Sequence, residues 1–428
     1  MNVVNMSLGG PVMLPGPDPL EDAVNSTVDA CLVVAVAAGN SGPGSETIDS
    51  PGIAEKALTA GATTNPHFIG ISVNTASSSF GAAVGEFASY NPSVTGTYVK
   101  WDPALPTSGE ACQQSLNPAF QGKIALIRRG SCTVTTKIRN AQNAGAIGVL
   151  ISNNVAGDPV AMAHDGTDPK PTIPAAMISK SDGAAMRSAA PSTVTVDDSQ
   201  QKEFLTGSVD IIAGFSSRGP TPFTARIKPD VTAPGVNVYS SVPNGGFALF
   251  QGTSMATPHV AGSAALLRQL HPRWSPQDIK SALSSSAKRP VFDHVNGTAA
   301  VTVMDRSTGR IDLTRAGSVV ATFNPSNVSF GKRLPLLPFS DQRTIVVKNT
   351  GNSTRTYSVA VEQTSSDPSL LVQLSTPTLT LGPGQSGTVV LTISGSLILM
   401  GEFEGDVVFR TVTETAGLRV PYWVSFNP

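Results

Sequence analysis

At 428 residues the chain is too long for one ordinary hydrophobic core, so two or three domains are expected. Only 14% of residues are charged, against roughly 25% in an average soluble protein, while 40 glycines and 33 prolines fit a β-rich, loop-rich, secreted type. The formal net charge of −1 gives no footing for nucleic acid or an anionic membrane surface as partner, and no run approaches the roughly 18 apolar residues of a membrane span.

Val3-Val4-Asn5-Met6-Ser7-Leu8 reads as a buried strand closed by Gly9-Gly10. Leu20, Ala23, Val24, Thr27, Val28 and Cys31 then recur at helical spacing. Leu32–Ala37 is a second continuous apolar strand, ending at Gly39-Asn40, and Ala57–Ala62 reads as a third. Apolar strands alternating with a helix predict a parallel sheet covered on both faces, where function gathers at the carboxyl ends of strands. From about Phe80 to Leu205 the texture changes to short segments broken by Pro, Gly and Asn. Gly122–Gly130 and Gly148–Ile151 are strands there, with a helix over Thr135–Ala144 between them. The α/β texture resumes at Val209–Ile212, a helix follows from Ser254 to Leu270, and Ser275-Pro276 caps another. Beyond Val319 the pattern is all-β, with strands at Thr344–Lys348, Tyr357–Val361, Val389–Ile393, Val407–Arg410 and Leu418–Val424, as in a sandwich.

Three cysteines are too few for a disulfide framework. Cys112 and Cys132 flank a candidate strand, and their pairing, which would imply an oxidising compartment, is favoured over two free thiols. Cys31 reads as a buried small hydrophobe. Asn5, Asn25, Asn296, Asn327 and Asn352 match the glycosylation sequon, with Asn5 discounted as buried.

The chemistry concentrates in Gly252-Thr253-Ser254-Met255-Ala256-Thr257-Pro258-His259-Val260-Ala261-Gly262. A small-residue turn there delivers one serine to the start of an apolar helix, where its hydroxyl is open to a carbonyl and close to the positive end of the helix dipole. With Val4-Asn5-Met6-Ser7-Leu8-Gly9, Ala37-Ala38-Gly39-Asn40-Ser41-Gly42-Pro43, and the pair Phe215–Pro220 and Lys228–Gly235, this segment resembles the subtilisin-like serine proteases, or subtilases, in their order along the chain. Gly122–Gly130, Asn140–Ala146 and Ile173-Pro174-Ala175 resemble a protease-associated (PA) domain; Val347–Gly351 and Leu418–Trp423 resemble a fibronectin type III-like domain.

The resemblance implies an α/β fold with a parallel-sheet subtilisin-like catalytic domain, an inserted PA-like α/β domain and a C-terminal β-sandwich. The catalytic domain would occupy 1–85 and 206–318, the insert 86–205 and the sandwich 319–428. It also implies a secreted or cell-surface serine endopeptidase acting on proteins or peptides. Ser254 would form the acyl-enzyme, Asn40 would donate to the oxyanion, and Ser7, Leu8 and Gly9 would pair with the substrate backbone. Ala37, Ala38 and Gly39 would form one wall of the specificity pocket. Calcium often stabilises the family, but no acidic loop here has a ligand spacing, so no cofactor is expected; the oligomeric state is left open.

One departure stands out. Subtilase triads run Asp, His, Ser, and only Met1 and Asn2 precede Val3, so the catalytic domain is expected to be incomplete and the chain alone nearly inert. The histidines are His67, His164, His259, His271 and His294. His259 follows Ser254 by five residues, a rotation of about 500° and a rise of about 7.5 Å that turn it away from the hydroxyl. Two other classes compete. One is a non-catalytic protein that binds peptides or partners through the insert and the sandwich. The other is an α/β-hydrolase whose nucleophile elbow would be Gly252–Ala256, with Asp278 and His294 downstream.

Overall fold

The structure, a computed structural model, describes residues 2–426 apart from 14, 91–92, 102–108, 115–116, 244, 294–296, 298–300, 335–337, 366, 396–399 and 413. His294 and Asn296 therefore lie outside the described residues.

Four parallel strands form the sheet that carries the site: Val3–Met6 (β1), Val33–Ala37 (β2), Leu58–Thr63 (β3) and Val231–Pro234 (β4), side by side in that order. Val3 lies opposite Val33, Ala35 opposite Leu58, and Ala60 opposite Val231. Helix α1 (Pro19–Asp29) starts where Asp18 caps the Leu20 and Glu21 amides, and its Val24 joins Val34, Val36, Ala54 and Ala57 on one face. Helix α2 (Thr253–Leu270) covers the other, with Ala256, Val260 and Ala264 packed against Val33, Ala35 and Ala60. Alternate side chains of β2 thus enter two different cores, which is why the strand reads as continuously apolar.

β1 does not meet the expectation of burial. Its Val3, Val4 and Met6 are half-buried and Asn5 is exposed, because among the described residues it is flanked by β2 alone. The discount of the Asn5 sequon fails for the same reason. Cys31 is also exposed: it follows the α1 cap with φ 68°, a left-handed turn that carries the side chain out of the core. Val209–Ile212 makes only isolated bridges, from Ile212 to Thr63 and from Ile211 to Phe292.

Seven strands close a barrel: His67–Thr75, Ser79–Ala83, Val94–Lys100, Ile124–Arg128, Gly148–Ser152, Ala175–Ile178 and Thr193–Leu205. The first two lie before residue 86, the expected start of the insert. Thr193–Leu205 runs antiparallel along the first, from Val194 opposite Thr75 to Leu205 opposite His67, and the second pairs with Ala175–Ile178 through Ala82 and Ala83. Their mixture of polar, glycine and apolar positions hides them from a search for apolar runs. Cys112 and Cys132 are disulfide-bonded, with Cα atoms 5.7 Å apart.

Beyond Val319, a four-stranded and a five-stranded sheet contain all five expected strands. Helix α3 (Pro276–Ser285), opened by a reciprocal Ser275/Asp278 capping box, buries Ile279, Ala282 and Leu283 in a cluster running from the parallel sheet into the sandwich. Among the described residues no helix is long and apolar enough to cross a membrane.

Candidate active site

The nucleophile segment begins with a backbone constraint. Gly252, at φ 148°, holds a conformation that side chains oppose, and this sharp entry lets the helix start at Thr253. Ser254 occupies the first turn and is half-buried. Thr253 is fully buried and holds the neighbouring segment: its N–H donates to Asn40 Oδ1 at 2.9 Å and its hydroxyl to the same oxygen at 3.0 Å. The Gly39 N–H in turn donates to Thr253 Oγ1 at 3.2 Å. With Oδ1 fixed twice, the planar amide turns its Nδ2 donors the other way, and Asn40 itself is exposed.

Ser7 connects β1 to the same helix turn. Its hydroxyl donates to the Ser254 carbonyl oxygen at 2.8 Å, and Ser254 Oγ donates to the Ser7 carbonyl oxygen at 3.3 Å. The first contact has a cause in the sequence. In a regular helix the Ser254 carbonyl would accept from the N–H four residues on, but that residue is Pro258, which has none. Ser7 satisfies the carbonyl that the proline leaves open, and Asn5 Nδ2 steadies Ser7 Oγ at 3.0 Å.

Ser254, Asn40 and Ser7 thus meet at one place, and Leu8 and Gly9 continue outward from it as exposed residues. Ala37 and Ala38 do not reach the surface. Both are buried, and Ala38 spends its N–H on the Ala60 carbonyl and its own carbonyl on the Asp49 N–H. Gly39 is buried as well, its carbonyl accepting from the Ser217 N–H at 3.0 Å. All three are buried and lie directly beneath the site. His259 is turned from Ser254, its Nδ1 lying 2.9 Å from the Met255 carbonyl oxygen. Asp278 is committed to the α3 cap and to Thr322 and Lys348, which removes it from any hydrolase triad. Among the described residues no group of three or more His, Cys, Asp or Glu side chains could hold a metal ion.

The Subtilase family model (Peptidase_S8) matches residues 1–309. The chain belongs to the subtilase family. It is 29% identical over 460 residues to the minor extracellular protease Vpr of Bacillus subtilis (strain 168), covering 98% of this chain and 51% of that protein. It is 33% identical over 304 residues to subtilisin-like protease SBT3.9 of Arabidopsis thaliana, covering 68% of this chain and 38% of that one. A crystal structure of the psychrophilic subtilisin-like protease Apa1 from the Antarctic psychrotroph Pseudoalteromonas sp. AS-11 aligns with TM-score 0.40 and 18% identity, over 74% of this chain and 69% of that one. The chain spans about half or less of the length of these two curated relatives.

In this subtilase the sequence motifs understate two residues. Thr253 reads as a small neighbour of the serine, yet it carries the hydrogen bonds that orient Asn40. Asp49 belongs to no motif, and its carboxylate lies against Gly39: a Cβ built on that glycine would fall 2.4 Å from Asp49 Oδ2. Burial pushes the Asp49 carboxyl above the usual aspartate range.

Proposed function

We propose that this chain carries the acylating half of a serine endopeptidase site, acting on protein or peptide substrates. Ser254 is the nucleophile, and Asn40 Nδ2 together with the Ser254 N–H stabilises the oxyanion. Ser7, Leu8 and Gly9 present the edge along which an extended substrate backbone pairs. The observation that carries this reading is the double hydrogen bond from Thr253 to Asn40 Oδ1, which ties the amide to the residue next to Ser254 and leaves its donors outward.

The hydroxyl of Ser254 donates to a carbonyl, not to a base, so it stays protonated and weakly nucleophilic by itself. The chain alone is therefore expected to be nearly inert. Exposure of the polypeptide to an oxidising, extracellular setting fits the Cys112–Cys132 bond and the Bacillus relative, which is an extracellular protease by name. The test is chemical rescue by an added base. Hydrolysis of a peptide p-nitroanilide by the chain should rise with added imidazole, and Ser254→Ala should abolish the increment. Equal imidazole-dependent rates for the two proteins would refute the assignment, and peptide binding that survives Ser254→Ala without any hydrolysis by the parent would favour the non-catalytic binding role.

A further inference from the structure

We propose that Asp49 selects polypeptides with lysine or arginine as the residue whose carbonyl Ser254 attacks. This rests on the reading of Ser254 as nucleophile and adds the class of side chain that the site takes.

Asp49 lies on a strut between the two segments that flank the serine. Its N–H donates to the Ala38 carbonyl at 2.9 Å, and the next residue, Ser50, exchanges two 2.9 Å backbone bonds with Gly10. The carboxylate is thus held between the Ser7–Gly10 and Ala37–Asn40 segments. Glycines on both sides make the space: a Cβ on Gly9 would lie 3.2 Å from Asp49 Cβ, and one on Gly39 would lie 2.4 Å from Oδ2. Ser217 Oγ borders the same spot, 2.7 Å from that Gly39 position, and accepts from the Ser41 N–H at 3.0 Å.

What sets Asp49 apart is the lack of a partner. Asp230 is paired with Lys228 and Lys280, Asp210 with Lys288 and Arg310, and Asp305 with Arg218. Among the described residues no donor or cation meets the Asp49 carboxylate. A partly buried carboxylate without a partner is unfavourable, and an incoming ammonium or guanidinium would relieve it through charge-assisted hydrogen bonds. The position identifies which substrate residue brings that cation. Asn40 and the Ser254 N–H would hold the carbonyl under attack, and Gly39 adjoins Asn40, so the side chain of that same residue lies within reach of Asp49. The long stem of lysine or the fork of arginine suits this depth.

The experiment measures binding, so that it does not depend on turnover. Fluorescein-labelled tetrapeptide amides Ala-Ala-Ala-Lys, -Arg, -Leu and -Glu are titrated by anisotropy into the chain, Ser254→Ala, Asp49→Asn, Asp49→Glu and Asp49→Lys. The basic peptides should bind roughly tenfold or more tightly than the leucine peptide. Asp49→Asn should erase that ratio, Asp49→Glu should keep part of it, and Asp49→Lys should shift preference to the glutamate peptide. Thermal melting of each variant shows whether it is folded, and Asp49→Glu carries the test if Asp49→Asn is not. A basic preference that persists in folded Asp49→Asn, or a parent chain that prefers leucine or shows no preference, overturns the proposal. Failure of the nucleophile assignment looks different: the preference would remain in the parent and in Ser254→Ala, while imidazole-dependent hydrolysis would not depend on Ser254.

Discussion

Asn40 Oδ1 accepts from both the N–H and the hydroxyl of Thr253, so truncating the side chain removes a structural support together with the proposed oxyanion donor. The two effects can be separated by charge. Asn40→Asp keeps an oxygen for Thr253 but places an anion where negative charge develops, whereas Asn40→Ala removes both functions. Asn40→Asp should melt close to the parent, and Asn40→Ala should lose about 1–3 kcal/mol for the stranded, buried Thr253 donors. Both should slow imidazole-rescued acylation by about 100- to 1,000-fold, a range that comes from the corresponding donor in subtilisin and so from this family. Melting curves and the rate of fluorophosphonate labelling measure the two quantities. Asn40 and Ser254 are legible in the sequence because each sits in a short local motif. Asp49 is not, because nothing in its neighbours says that a strand and a turn will fold around it.

At the scale of one element, α2 departs from regularity at Pro258, and the departure explains a contact 247 residues away in sequence. Pro258→Ala would return an N–H to the Ser254 carbonyl and make the Ser7 hydroxyl redundant there. Ser7→Ala should therefore destabilise the parent by about 1 kcal/mol but have little effect in the Pro258→Ala background. A double-mutant cycle on denaturation midpoints checks this, and an equal cost in both backgrounds would separate the proline from the Ser7 bond. The proline is visible in the sequence and so is its missing donor, but the identity of the compensating group is not. β2, β3 and α2 are legible because burial on both faces, or on one, writes itself as an apolar pattern. β1 misleads because an edge strand can carry the same residues with half their surface in water. The strand at His67–Thr75 is hidden because its partner Thr193–Leu205 enters the chain more than a hundred residues later, and Ser79–Ala83 because it closes onto the distant Ala175–Ile178.

A buried charge cluster joins the parallel sheet, α3 and the sandwich. Asp230, directly before β4, has no exposed surface; Lys228 Nζ approaches its Oδ2 at 2.7 Å and Lys280 Nζ, from α3, its Oδ1 at 2.9 Å. The Thr59 N–H from β3 donates to Oδ2 at 2.8 Å, and Asn327 Nδ2 reaches Oδ1 at 3.3 Å from the sandwich side. Sheet, helix and sandwich thus share one carboxylate. Burial opposes its ionisation, but Lys228 and Lys280 more than offset this and hold it below the usual aspartate range. Two lysines face one aspartate, so the substitutions are not symmetric. Lys228→Met leaves Asp230 paired with Lys280 and should be tolerated. Asp230→Leu leaves both buried lysines without their shared counter-charge and should cost about 3–5 kcal/mol. One contribution to the pH response of the parent comes from Lys228, whose pKa burial lowers to about 7. The unfolded chain keeps that proton up to about pH 10.4, so between pH 7 and that value it binds more protons than the folded chain, and this group makes stability rise with pH. Below pH 7 both states carry the proton and the contribution is flat. Subtracting the pH dependence of Lys228→Met from that of the parent should isolate a rise across this window, measured as denaturation midpoints. A flat difference would mean that the ammonium keeps its proton in the folded protein, with Asp230 outweighing the cost of burial.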